Sequence, residues 1–164
     1  MSVSELRIDA KRAFVLADRM KRGPFEHIEV LLSVFASEKS RVQQLSEAEL
    51  DGIIARNSDR LEKYDRAIWK FDHVALTQCT VYPRMGERAW AEGRVHEVAE
   101  KFKRLEPLTS RIWSMKLFAS LFSIELPIVI LSEGSILRID DGSHRAVAMH
   151  LSGIQRAAAW IGTL

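Results

Sequence analysis

The residues of this chain whose types and spacing suit chemistry lie together at Asp141-Gly142-Ser143-His144-Arg145. Two apolar, β-branched runs precede them, Pro127-Ile128-Val129-Ile130-Leu131 and Ile136-Leu137-Arg138-Ile139, with the turn-forming cluster Ser132-Glu133-Gly134-Ser135 between. That pattern predicts a pair of strands. Asp141-Gly142 suits a tight turn with a positive φ. The Ala-rich stretch behind it predicts a helix that closes at Gly153, a natural C′ residue. A strand that turns through glycine into a helix presents the helix's first free N–H groups and the positive end of its dipole, which attract anions and phosphate in particular. Cations in a first helical turn oppose that dipole. His144 and Arg145 stand there all the same, which makes sense if they face a bound phosphate: Arg supplies a planar, bidentate fork and His a titratable donor. The bland alternative is a surface turn in which Arg145 pairs with Asp140 or Asp141.

These five residues, with the small-residue helix and Gly153-Ile154 behind them, resemble the Asp-Gly-x-His-Arg signature of the ParB/sulfiredoxin superfamily. Pro127-Ile128-Val129-Ile130 is similar to the strand before that signature, Val81-Tyr82-Pro83-Arg84 to the family's strand-end Pro-Arg, and Arg94 to Leu105 stands where its first helix would be. The resemblance covers the stretch from Phe71 to Gly162. It implies a nucleotide site in which Arg84, Gly142, Ser143 and Arg145 hold ATP or another nucleotide. It also implies that His144, Asp141 and Arg145 carry the catalysis, His144 moving a proton at a phosphate oxygen and Asp141 orienting His144 or holding a divalent ion. Magnesium follows from the reaction type, since phosphate charge needs neutralising, and from no ligand spacing in the chain.

Two departures from the family narrow the activity. Sulfiredoxins carry a reacting Cys where Ser143 stands, and a hydroxyl of ordinary pKa cannot do the thiol's redox chemistry, so sulfinic-acid reduction is not expected. The partitioning ParB proteins carry Gly-Glu-Arg-Arg and continue into a helix-turn-helix domain, whereas this chain reaches Leu164 without one. The expectation left is a phosphohydrolase that hydrolyses ATP and extends to DNA phosphodiesters, a group that includes small plasmid-borne members of the Osa type. The alternatives are a non-catalytic nucleotide or nucleic-acid binding module working through a protein partner, or a kinase acting on a small hydroxyl compound.

The rest of the chain must position that turn. At 164 residues it can bury a substantial core, and its 47% hydrophobic and 28% charged residues are ordinary for a globular protein. A net charge of +2 permits nucleic-acid binding without arguing for it. Cys79 stands alone, which excludes a disulfide framework or a Cys-based metal site, and its alternating surroundings mark it as inert packing. No signal pattern and no apolar run of spanning length occurs, so a cytoplasmic protein without a membrane partner is expected.

Met1 to Ser4 are expected to be loose, followed by a helix from Glu5 to Gly23-Pro24 with Lys11 among its solvated basic residues. A second amphipathic helix is expected over Phe25 to Arg41. Ser46-Glu47-Ala48-Glu49 is a capping box that should start a third helix running through Trp69. Residues 1–70 thus form an N-terminal helical segment, the place for a protein partner to dock, and 71–164 a phosphate-binding domain. In the latter, Val74 to Tyr82 alternates like a strand, Glu87 is a candidate base or metal carboxylate, Leu108 to Glu125 reads as an apolar helix, and Ala157 to Ile161 as a final strand. His150 is six residues past His144 and does not share its face. The expected fold is α+β, a small mixed sheet with helices behind an N-terminal helical segment.

Overall fold

Among the described strands, Ile128–Leu131 and Ala157–Ile161 are apolar without interruption, and both stretches are buried throughout. Strands buried on both faces read as continuous apolar runs, whereas half-buried strands alternate. These two are β4 (Ile128–Glu133) and β6 (Arg156–Thr163) of a computed structural model that describes residues 1–20, 28–81, 93–103 and 119–164. The other strands are β1 (Ile68–Ala75), β2 (Cys79–Val81), β3 (Gly93–Arg94) and β5 (Ile136–Asp141). Together they make one mixed sheet in the order β1-β6-β4-β5-β2-β3. β4 runs parallel to β6 and antiparallel to β5, and β5 runs parallel to β2.

Each face of the sheet carries a layer of helices. On one side α1 (Val3–Met20), α2 (Ile28–Gln43), α3 (Glu47–Ile54) and α4 (Ser58–Arg66) enclose a core with Trp69, Val129, Leu131 and Trp160. On the other, α5 (Val95–Lys103), α6 (Ala119–Glu125) and α7 (Ser143–Leu151) share a core with Ile128, Ile130, Ile139, Ala157, Ala159 and Ile161. The period-2 pleat divides each strand between the two cores, Ile128 and Ile130 to one and Val129 and Leu131 to the other. The fold is therefore α+β with helices ahead of the sheet, as expected. The N-terminal helices and the sheet share one core, and the junction expected at residue 70 falls inside β1.

Several local expectations need correction. Ser2 to Ser4 are not loose: α1 begins at Val3 because Ser2 and Glu5 exchange bonds, the Glu5 N–H donating to Ser2 Oγ at 3.2 Å and the Ser2 N–H to Glu5 Oε2 at 2.6 Å. The capping box at Ser46 and Glu49 forms as expected, but its helix stops at Ile54. Asn57 then accepts from the Arg60 N–H and starts α4, so one expected helix is two, and Ile68 and Trp69 belong to β1. The strand expected over Val74 to Tyr82 is also divided. β1 loses its partner where β6 begins, at the Ala75–Arg156 pair, and a 3₁₀ turn at Leu76–Gln78 leads into β2.

Trp69 lies across its strand partner Gly162, where a Cβ would come within 2.9 Å of the indole ring. The indole Nε1 donates to the Tyr64 carbonyl at 2.9 Å, which fixes α4 against β1. Of the helix expected over Leu108 to Glu125, α6 covers the end, and 108–118 lie outside the described residues. No helix among the described residues is long and apolar enough to cross a membrane.

Candidate functional site

β5 ends at Asp141, α7 starts at Ser143, and Gly142 joins them at φ 105°, a left-handed conformation that glycine adopts without penalty. Space makes the same demand. A Cβ at Gly142 would lie 2.7 Å from Ile128 Cγ2 and 2.8 Å from Arg145 Nη2. The first helical bond runs from the Ala146 N–H to the Gly142 carbonyl, and the N-cap residue is Gly142, which has no side chain to cap with. At the other end Gly153, at φ 84°, donates to His150 O while Ile154 donates to Met149 O, the paired bonds of a Schellman close. The strand–glycine–helix turn and its closing glycine are where the sequence placed them.

The pleat sends the neighbouring carboxylates Asp140 and Asp141 to opposite faces. Asp140 reaches the N-terminal helices, accepting from Tyr64 Oη at 2.6 Å and from Arg60 Nε at 2.8 Å. Arg60 also lies over the Phe14 ring, 4.6 Å from its centroid. Asp141 turns the other way and accepts from Arg145 Nη2 at 3.0 Å. The guanidinium donates in addition to two main-chain carbonyls, Leu126 O at 2.6 Å and Pro127 O at 3.3 Å. Arg145 thus joins the end of β5, the first turn of α7 and the chain entering β4. The pairing with Asp141 is the one the bland reading anticipated, but it is no surface contact: the two side chains are 5% and 2% exposed. Asp141, two residues ahead of the helix, also offsets a cation in its first turn.

Ser143 and His144 are buried beside this pair, at 8% and 4% exposure. Asp141, Gly142, Ser143, His144 and Arg145 therefore come together in one turn, while Arg84 and Glu87 lie outside the described residues. The turn is a poor donor set for magnesium, which takes six oxygens in octahedral array. Asp140 and Asp141 diverge, and Asp141 is already neutralised by Arg145.

Among the described residues one trio of carboxylates does converge: Glu47, Asp51 and Asp65. A cation of the chain itself stands among them. Lys11, expected on a solvated face, is fully buried, and its Nζ lies 2.6 Å from Asp51 and Asp65 and 2.9 Å from Glu47. The three N–H donors of the ammonium match three carboxylates. Burial pushes the Lys11 pKa down, but the hydrogen bonds to Asp51, Asp65 and Glu47 together outweigh it and leave the pKa raised. Arg7 and then Lys11 hold the Glu47 carboxyl down from 4.5 to about 2. The cluster pins α1 to α3 and α4. The sequence carried a signal for it: Ile8, Lys11 and Val15 share one side of a 3.6-residue helix, the buried side.

Cys79 is fully buried and donates to the Ala75 carbonyl, and burial pushes its thiol up to about 11, in keeping with inert packing. His150 lies toward His96, with ring centroids 6.5 Å apart, and burial followed by the neighbouring His96 lowers its pKa. No family model, curated protein or solved structure matches the chain.

Proposed function

We propose that the β5–α7 turn binds the phosphates of a nucleotide and that the chain is a phosphohydrolase of the ParB/sulfiredoxin type, acting on ATP in the cytoplasm. The observation that carries this reading is the strand–glycine–helix turn at the start of α7, held in shape by the buried Asp141–Arg145 pair and by Gly142 at positive φ. Helix N–H groups and the dipole end are an anion site without further help. The geometry changes the division of labour that the signature implies. Arg145 shapes the turn through Asp141, Leu126 and Pro127, which leaves direct phosphate contact to the first-turn N–H groups, the Ser143 hydroxyl and Arg84. In hydrolysis water attacks the γ-phosphorus, the bond to the β–γ bridging oxygen breaks, and His144 supplies a proton to that oxygen. Magnesium enters as part of the nucleotide substrate. Attack on a DNA phosphodiester would use the same turn.

A second reading, a non-catalytic nucleotide or nucleic-acid binding module, is favoured by one observation. Asp141, His144 and Arg145 are each exposed by 5% or less, whereas a reacting group must touch its substrate. Phosphate release from ATP with magnesium, beside nicking of a supercoiled plasmid, separates the two. Wild type is compared with His144→Ala after circular dichroism shows that both are folded. Turnover lost in the variant supports the hydrolase. ATP binding without product in either tube, across several divalent ions, removes the hydrolase and leaves the module.

A further inference from the structure

β1 is an edge strand. β6 pairs with one side of it, and among the described residues no strand pairs with the other. Its side chains are correspondingly open: Ile68, Lys70, Phe71, Asp72 and His73 are exposed, Ile68 by 70% and Phe71 by 46%. A long edge with exposed apolar residues is a template for a strand of another chain. The main chain also turns outward. The His73 N–H donates to Asp72 Oδ1 at 2.8 Å, and the His73 carbonyl accepts from Arg156 Nη2 at 2.6 Å, both outside the ladder with β6. Strand alternation gives Phe71 and Trp69 the same outward direction.

We propose that β1 pairs antiparallel with β1 of a second copy of this chain, about a twofold axis at Phe71, so that two sheets join into one. In that register Phe71 faces the second copy's Phe71, Lys70 faces its Asp72, and Asp72 faces its Lys70. Ile68 then meets Val74, and Trp69 meets His73. A twofold axis makes each unlike pair occur twice, and opposite charges directly across a ladder are favourable. Charge also disfavours the two adjacent registers. An axis at Lys70 sets lysine against lysine, and an axis at Asp72 sets aspartate against aspartate, both unfavourable.

The facing phenylalanines extend an aromatic row already present in one copy, where Phe71 and Trp160 lie edge to face at 5.3 Å. Phe71 also rims a groove of about 390 Å³ lined by Arg12, Leu16, Val42, Pro127 and Trp160, so the second copy completes one wall of that groove. In the single chain Asp72 and Arg156 hold the edge groups of His73, and they must release them before the strands join.

Sedimentation equilibrium of the full chain over a range of concentrations tests the pairing. Wild type is expected to dimerise. Lys70→Asp, an exposed change that leaves the fold intact by circular dichroism, sets aspartate against Asp72 on both sides of the axis and weakens the dimer about tenfold or more. The double variant Lys70→Asp with Asp72→Lys restores the unlike pairs and the dimer. A monomeric wild type, a dimer indifferent to Lys70→Asp, or a double variant that stays as weak as the single one would each overturn the proposal.

Discussion

Tyr64 Oη donates to Asp140 Oδ2 across 2.6 Å and so ties the helix before β1 to the strand that leads into the candidate turn. Burial pushes the Tyr64 phenol well above its ordinary pKa, and the Asp140 charge adds to the shift, so the proton stays on the donor. Tyr64→Phe removes a bond to a charged acceptor and should cost about 1.5–3 kcal/mol in urea unfolding. In Asp140→Asn the same change should cost less. Equal costs in the two backgrounds would mean that this bond does not couple the layers.

Arg145→Met should be among the most damaging single changes in the chain. It leaves the Asp141 carboxylate buried without its guanidinium and removes the donor to the Leu126 and Pro127 carbonyls, at a cost of about 3–5 kcal/mol. Lysine should rescue little, because one ammonium cannot reproduce the two-ended reach of a guanidinium. Denaturant midpoints of the two variants measure this. A methionine variant as stable as wild type would assign Arg145 to ligand binding alone.

Gly142→Ala is predicted to lose about 2–4 kcal/mol. The left-handed φ penalises any Cβ, and this one would meet Ile128 and the Arg145 guanidinium. Thermal unfolding checks the value, and an unchanged midpoint would show that the turn relaxes freely.

The Lys11 cluster gives the protein an acid-sensitive contact whose sign can be worked out. The Glu47 pKa is depressed in the fold from 4.5 to about 2, so its contribution to stability is complete above about 4.5 and is lost as pH falls from there toward 2. The Lys11 pKa is raised, so its contribution is complete below 10.5 and is lost as pH climbs through the raised value. Lys11→Met should cost about 1–3 kcal/mol at neutral pH, because it removes the ammonium's bonds to Asp51 and Asp65, which then repel each other, and leaves Glu47 to Arg7 alone. The variant should then recover part of that loss on mild acidification, where wild type loses stability. Parallel unfolding curves at pH 4 and pH 7 for the two proteins would contradict this account.

What could be read in advance followed the physics of each feature. β4 and β6 were visible because burial on both faces leaves continuous apolar runs, and the β5–α7 turn because Gly142 and Gly153 mark backbone states that few other residues adopt. The capping bond at Ser2 was equally present, as Ser and Glu three apart, but lay in a stretch taken as loose. Arg145's partners could not be read: Leu126 and Pro127 contribute main-chain carbonyls, which any residue type would supply. Asp140 finds Arg60 and Tyr64 far away along the chain, and pairs of that kind leave no periodic mark. Lys11 sat in plain sight on an apolar stripe. Its charge hid it, since lysine is rarely buried without partners and its partners lie on α3 and α4.

The position of β6 bears on how the chain reaches its fold. It follows every other strand in sequence yet lies between β1 and β4, holding Ile68 opposite Thr163 and Ile128 opposite Ala159. During synthesis β1 emerges about eighty residues before β6 and has no strand partner in the sheet until β6 has been made, and β4 lacks one neighbour until the same moment. Pairing across such a separation has a large loop-closure entropy and is slow. A ribosome-stalled chain lacking 156–163 should therefore hold its helices while β1 stays open to proteases, and the sheet should close in one late step.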